Sequence, residues 1–256
     1  MLVLQAQCQD GSQSKGVNLQ VNYKILTIPS VFIGVAEIPS PTVESLNSYL
    51  DKLLQDERRL SRADSLVGQI RHGEQLGLDP AHPTIDDFVL LLRKLSAEYI
   101  THFSQRTGQH FNKNRLIELE SIRPVHSYAC DYNPLHDHAT KSIMGISTTC
   151  WTKVPPQIGD RRVGKDHVTG DLLDASGAHD GYLVFEFGKC DTMNTERLMP
   201  SQSIAVCPEV GKLLLFPSWL QRMVYPFFGD GERRTIAANF NGWEIDDNRV
   251  KVSKIG

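Results

Sequence analysis

Long apolar runs are missing from this chain. The apolar stretches that do occur, such as Val89-Leu90-Leu91-Leu92 and Leu213-Leu214-Leu215-Phe216, fall far short of the about 20 residues a membrane-spanning helix needs, so no membrane partner is expected. The first residues, MLVLQAQCQDGSQ, lack the basic start and apolar stretch of a secretory signal. Cysteine is sparse: the five residues Cys8, Cys130, Cys150, Cys190 and Cys207 are odd in number, widely spaced and form no CxxC pair. That pattern excludes a disulfide framework and a thiolate zinc site and points to free thiols in a reducing, cytoplasmic setting. Charge of one sign is not in excess either. With 27 Lys and Arg against 30 Asp and Glu the net charge is −3, which gives no sign of a nucleic-acid partner. No phosphate-binding glycine loop, dinucleotide fingerprint or Ser-His-Asp order is present.

What is present suits a globular protein: 40% hydrophobic and 22% charged residues over 256 positions can bury a full core. Residues 1–20 are polar and read as a loose N-terminal arm of a single domain, 1–256. Residues 21–38, rich in Val and Ile with a Pro-Ser break, predict one or two strands. A helix is expected to follow, with Ser40 as N-cap, Pro41 as its first residue and an apolar face of Val43, Leu46, Leu50, Leu53 and Leu54. Residues 61–83 read as a long loop with little order, with Arg71-His72-Gly73-Glu74 solvated within it. A second helix is expected from a Thr84 cap, with Asp86 and Asp87 in its first turn and a stripe of Phe88, Leu91, Leu92, Leu95, Tyr99 and Phe103, ending before Gly108.

From about residue 114 the apolar period changes from helical to alternating. Strands are expected at 117–122, 124–132, 142–153, 181–188, 203–208, 212–217, 221–226, 233–241 and 248–253, with turn residues between most of them. The glycine-rich stretch 154–180 reads as a long insertion of the kind that forms lids. The expected fold is mainly β: residues 21–113 supply a strand and supporting helices, and residues 114–256 a sandwich or barrel on which those helices lie. Phe185 and Phe187 mark an inward strand face, Trp219 reads as rim packing, and Cys130 and Cys150 as small buried strand residues.

The chemistry concentrates in two places. His136 and His138 flank Asp137, and on a strand residues i and i+2 share a face, so the two imidazoles converge. Imidazole is a ligand for iron, zinc, copper or nickel; equally, a short HxH pair can simply be hydrogen-bonded at a strand edge. Further on, the chain reads Gly211-Lys-Leu-Leu-Leu-Phe216-Pro-Ser-Trp-Leu-Gln-Arg222-Met-Val224-Tyr-Pro226, then Arg233-Arg234-Thr235 and Asn239.

Over residues 125–243 this resembles the Fe(II)/2-oxoglutarate-dependent oxygenase superfamily, in particular the branch with an H-x-H proximal motif and a G-x-L-x-x-FPSWL-x-H-x-V-x-P segment. Gly145 and the Trp151 to Pro155 strand also match that branch. The resemblance implies a double-stranded β-helix, or jelly roll, with Fe(II) and 2-oxoglutarate at its mouth and hydroxylation of an unidentified substrate. His136 and His138 would be metal ligands, with no catalytic residue beyond them. Arg233 would anchor the distal carboxylate of 2-oxoglutarate with Thr235 beside it, because a guanidinium binds a carboxylate bidentately and stays charged when buried. Arg234 would point to the other side, toward solvent.

The departure is Arg222, at the position of the branch's distal histidine. A guanidinium has no lone pair to give a metal. Three outcomes follow, in descending order of expectation: a metal-free site with Arg222 in the metal position, a replacement ligand from His167 or His179, or weak binding through His136, His138 and 2-oxoglutarate. The first would make the protein an inactive oxygenase-fold binding or structural protein. Arg222 and Arg233 would then hold a dicarboxylate or phosphate, unless Arg222 turns outward to pair with Glu232. A cupin, which also uses HxH, would need a Glu soon after His138 and a His on a later strand; neither is there.

Overall fold

The computed structural model describes residues 31–63, 68, 70–109, 115–138, 140, 144–158, 179–188, 202–246 and 249–251. The expected N-terminal arm, His167 and most of the 154–180 insertion lie outside them.

Among the described residues, eleven strands and two α-helices follow in chain order: β1 Gly34–Glu37, α1 Ser40–Gln55, β2 Glu74–Gln75, α2 Pro83–Thr107, β3 Arg115–Ser127, β4 Asn133–His136, β5 Met144–Lys153, β6 Leu183–Glu186, β7 Ser203–Val206, β8 Lys212–Pro217, β9 Gln221–Val224, β10 Arg233–Asp246 and β11 Arg249–Lys251. They form two antiparallel sheets. The larger has the order β1-β8-β5-β10-β3-β2 with β11 paired to β10, and the smaller has the order β4-β9-β6-β7. This is the double-stranded β-helix with N-terminal helices on one sheet.

Period-2 alternation decides which side each residue serves. On β10, Ile236, Ala238 and Phe240 join the helix-side core, as do Leu213 and Leu215 of β8. That core is closed by Val43, Leu46 and Leu50 of α1 and by Ile85, Phe88, Val89, Leu92 and Ile100 of α2. On the opposite side, Leu214 and Phe216 pack with Trp151, Leu183, Phe185 and Leu220 between the sheets. Phe185 and Phe216 meet edge to face at 4.8 Å, and Phe187 joins the same cluster, as its alternation predicts.

Several expectations need correction. The N-caps are Pro39 and His82, one and two residues before the expected Ser40 and Thr84, and neither gives a side-chain cap. The rigid φ of Pro41 and Pro83 in the first turns supplies the start instead. Gly108 does end α2, with φ of 70° in the left-handed region. Strands 117–122 and 124–132 are one strand, β3, because Pro124 is accommodated without a break. The 61–83 segment is anchored: β2 pairs with β3, Leu76 is fully buried, and Glu74 binds Arg59 at 2.8 Å. Cys130 sits in an exposed turn with φ of 68°, whereas Cys150 is buried and its thiol pKa is pushed up to about 12 by that burial. Trp219 is 58% exposed, since it occupies the β8–β9 turn rather than a strand face. Among the described residues no helix is long and apolar enough to cross a membrane.

Candidate active site

Between the sheets lies a cavity of about 450 Å³ whose lining includes His136, His138, Arg222, Arg233 and Thr235. All five residues singled out from the sequence therefore meet at one place. Alternation brings the strand residues there, while His138 lies two residues past the end of β4, where its amide donates to the Ser218 carbonyl at 3.0 Å. Thr235, Ala237 and Asn239 are the inward-facing members of β10, and Arg233 precedes them on the same face. Arg222 comes from β9, where its Cα partner on β4 is His136.

The two histidines are held in matching tautomers. His138 Nδ1 donates to Asn239 Oδ1 at 2.7 Å, and Asn239 is itself fixed by Ser147 and by a bond to Ser121 Oγ at 3.0 Å. His136 Nδ1 donates to the Pro134 carbonyl at 2.6 Å. Both rings thus keep the lone pair on Nε2, the arrangement a metal ligand needs. Their ring centroids are 5.5 Å apart. Burial, reinforced by the charge of Arg222, lowers both pKa values, that of His138 to about 3, so both rings are neutral near pH 7.

Arg222 is 3% exposed and does not turn outward to Glu232. Its guanidinium carbon lies 5.0 Å from the centroid of the Phe216 ring, Nη1 donates to the Leu220 carbonyl at 3.3 Å, and Nη2 is buried without a partner. Arg233 is 4% exposed, donates to the carbonyls of Gly181 and Tyr225, and leaves Nε unpartnered. Burial pushes the pKa of each arginine down to about 10, eased by the negative charge of Asp137 for Arg222 and of Asp131 for Arg233; both stay cationic at neutral pH. Neither makes an ion pair with a carboxylate among the described residues.

Iron does not fit this donor set as a three-ligand centre. Both Nε2 atoms carry a lone pair, but that of His136 accepts from Asn133 Nδ2 at 3.4 Å, and the residue paired with His136 on the neighbouring strand is Arg222, which has no lone pair to give. No group of three His, Cys, Asp or Glu side chains suited to a metal occurs among the described residues. His179 is not a replacement: it is exposed, stacks on Tyr225 at 6.4 Å and does not line the cavity.

Sequence reasoning missed other parts of the site. Asp131 is fully buried and accepts from the backbone amides of Arg71, His72 and Tyr128, which ties the 70–75 segment to the cavity rim. Glu120 and Arg123 of β3 also line the cavity. Only the pairing of β3 with β10 reveals this, because neither belongs to a short motif.

The fold and site define a double-stranded β-helix protein with a cationic cavity beside a histidine pair. Residues 124–239 match the family model described as "Putative 2OG-Fe(II) oxygenase". This barrel region, a little under half of the chain, is thereby similar to the Fe(II)/2-oxoglutarate oxygenases. Comparison with curated proteins gives no match. Among solved structures, HygX from Streptomyces hygroscopicus with nickel, 2-oxoglutarate and hygromycin B bound is similar, with a TM-score of 0.52 and 14% identity over 89% of this chain and 91% of that one. A prolyl hydroxylase from Trichoplax adhaerens, in complex with a hypoxia inducible factor oxygen degradation domain peptide fragment, has a TM-score of 0.51 and 12% identity over 82% of this chain and 83% of that one. At such identities these likenesses speak to the fold alone.

Proposed function

We propose that this protein is an oxygenase-fold protein that binds 2-oxoglutarate, or a dicarboxylate of the same shape, without an iron centre. The observation that carries this reading is the Arg222 guanidinium, buried opposite His136 with Nη2 unpartnered. A buried cation without a carboxylate costs several kcal/mol, and an anionic ligand offsets that cost. Arg233, with Thr235 on the same strand face, supplies a second anion anchor. One carboxylate of the ligand would lie on Arg233 and the other on Arg222, in the position a metal would otherwise take. The sparse, unpaired thiols support a reducing, cytoplasmic setting.

A second reading, hydroxylation of a substrate by an Fe(II) enzyme, draws support from the Nδ1-protonated tautomers of His136 and His138, which keep the lone pair on Nε2. Anaerobic titration with Fe(II) and 2-oxoglutarate separates the two. Calorimetry is expected to register 2-oxoglutarate binding without metal. The visible charge-transfer band of a metal-chelated cosubstrate is expected to be absent in the native protein and to appear in Arg222→His. A saturable band in the native protein would overturn the metal-free reading.

A further inference from the structure

We infer that the cavity holds a second subsite, for the α-ammonium and α-carboxylate of an amino acid, formed by Glu120 and Arg123. The inference rests on the cavity being a ligand site, as proposed above, but not on what Arg222 binds.

The β3–β10 ladder loses one residue of register between Asn239, which faces Ser121, and Phe240, which faces Leu119. Glu120 is the extra residue of this bulge. In an unbroken strand it would alternate away from Ser121 and Arg123; the bulge re-aims it, and it lines the same cavity as both. Its Oε2 is shielded from solvent and has no hydrogen-bond partner. A shielded, unsatisfied carboxylate oxygen carries a desolvation penalty that a donor from a ligand removes.

Arg123 stands three residues along the same strand. It forms no ion pair with Glu120 or with any other described acid, although its charge is felt at His138. One wall of the cavity thus offers an acceptor-only anion and a fork-shaped cation that leave each other unpaired. Their chemical complement is an ammonium beside a carboxylate. The place is also distinct from the dicarboxylate anchor. Arg233 and Asn239 are six residues apart on β10, about 20 Å at 3.3 Å per residue, and Glu120 lies at the Asn239 end. A ligand there would be close to His138, which Asn239 holds.

The test is calorimetric titration of the full chain, saturated with 2-oxoglutarate, with a panel of free L-amino acids. Each is paired with its des-amino acid and its decarboxylated amine. At least one amino acid is expected to bind, and removal of either α-group to weaken it about tenfold or more. In Glu120→Gln the preference for the amino acid over its des-amino analogue should collapse. In Arg123→Gln the preference over the decarboxylated amine should collapse. Absence of amino-acid binding by a protein that binds 2-oxoglutarate would overturn the subsite while leaving the parent reading intact. Equal binding of all three analogues by the native protein would do the same without needing a variant that folds. Failure of 2-oxoglutarate itself to bind would instead strike the parent reading.

Discussion

Arg233 and Arg234 are neighbours on β10 and live in opposite surroundings. Arg234, expected to be solvated, is fully buried because α1 covers its face of the sheet. There it donates to Glu232 at 2.6 and 2.9 Å, to Asp51 at 2.6 Å and to Asn47 at 3.2 Å. Glu232 also accepts from His126 at 2.6 Å and from Lys153 at 3.4 Å. Arg233, facing the cavity, has two backbone carbonyls and no carboxylate. The contrast is one of charge: the helix-side arginine has its counter-charges built in, while the cavity-side arginines have no carboxylate partner among the described residues, as the proposed anion binding requires.

That comparison can be broken at either face. The largest effect is expected from Arg233→Met. An arginine–carboxylate contact contributes about 1.5–3 kcal/mol, so 2-oxoglutarate affinity measured by calorimetry should fall on the order of 10- to 100-fold. Stability should change less than affinity, since no carboxylate is orphaned, only the Gly181 and Tyr225 carbonyls.

Glu232→Gln attacks the other face and should reverse the pattern. The bonds from His126 and Arg234 outweigh burial and hold the Glu232 carboxyl pKa at about 2, below its unfolded value. Its contribution is therefore complete above the unfolded carboxyl range and fades as pH falls toward 2. Urea unfolding at pH 7 should show a loss of about 2 kcal/mol in the variant, and the gap from the native protein should close at low pH. An equal gap at pH 7 and pH 3 would contradict this account.

Arg222→Met should be smaller and opposite in sign. Replacing a buried, unpaired cation with an apolar side chain of similar volume should raise stability by about 1–2 kcal/mol, read as a higher urea midpoint. It should also weaken 2-oxoglutarate. Least affected should be Asp51→Asn. Asp51 is half exposed; burial raises its pKa, but the bonds and charges of Lys153 and Arg234 together outweigh this and lower it, and the cost should be about 0.5 kcal/mol.

Much of the site was legible because strand parity is local. The alternation in 233–239 places Arg233 and Thr235 on one face without any knowledge of partners, whereas His138 reaches the cavity from beyond the end of β4, which its spacing from His136 did not foretell. What parity could not supply was the identity of the covering layer. Arg234 was correctly assigned to the opposite face, yet whether that face met water or α1 depended on packing 183 residues away in sequence, at Asp51. Trp219 failed for the converse reason. It lies among apolar neighbours in sequence, but the turn that carries it projects it outward. Glu120 was invisible because its orientation comes from a bulge, which a strand reveals only when paired.

The amino-acid sequence by itself determined the class of fold and the faces of the strands, because periodicity and side-chain chemistry act over a few neighbouring residues. Only the tertiary structure decided which charges are satisfied. A charge's environment is set by whatever packs against it, and β-sheet pairing assembles that environment from residues far apart in the chain.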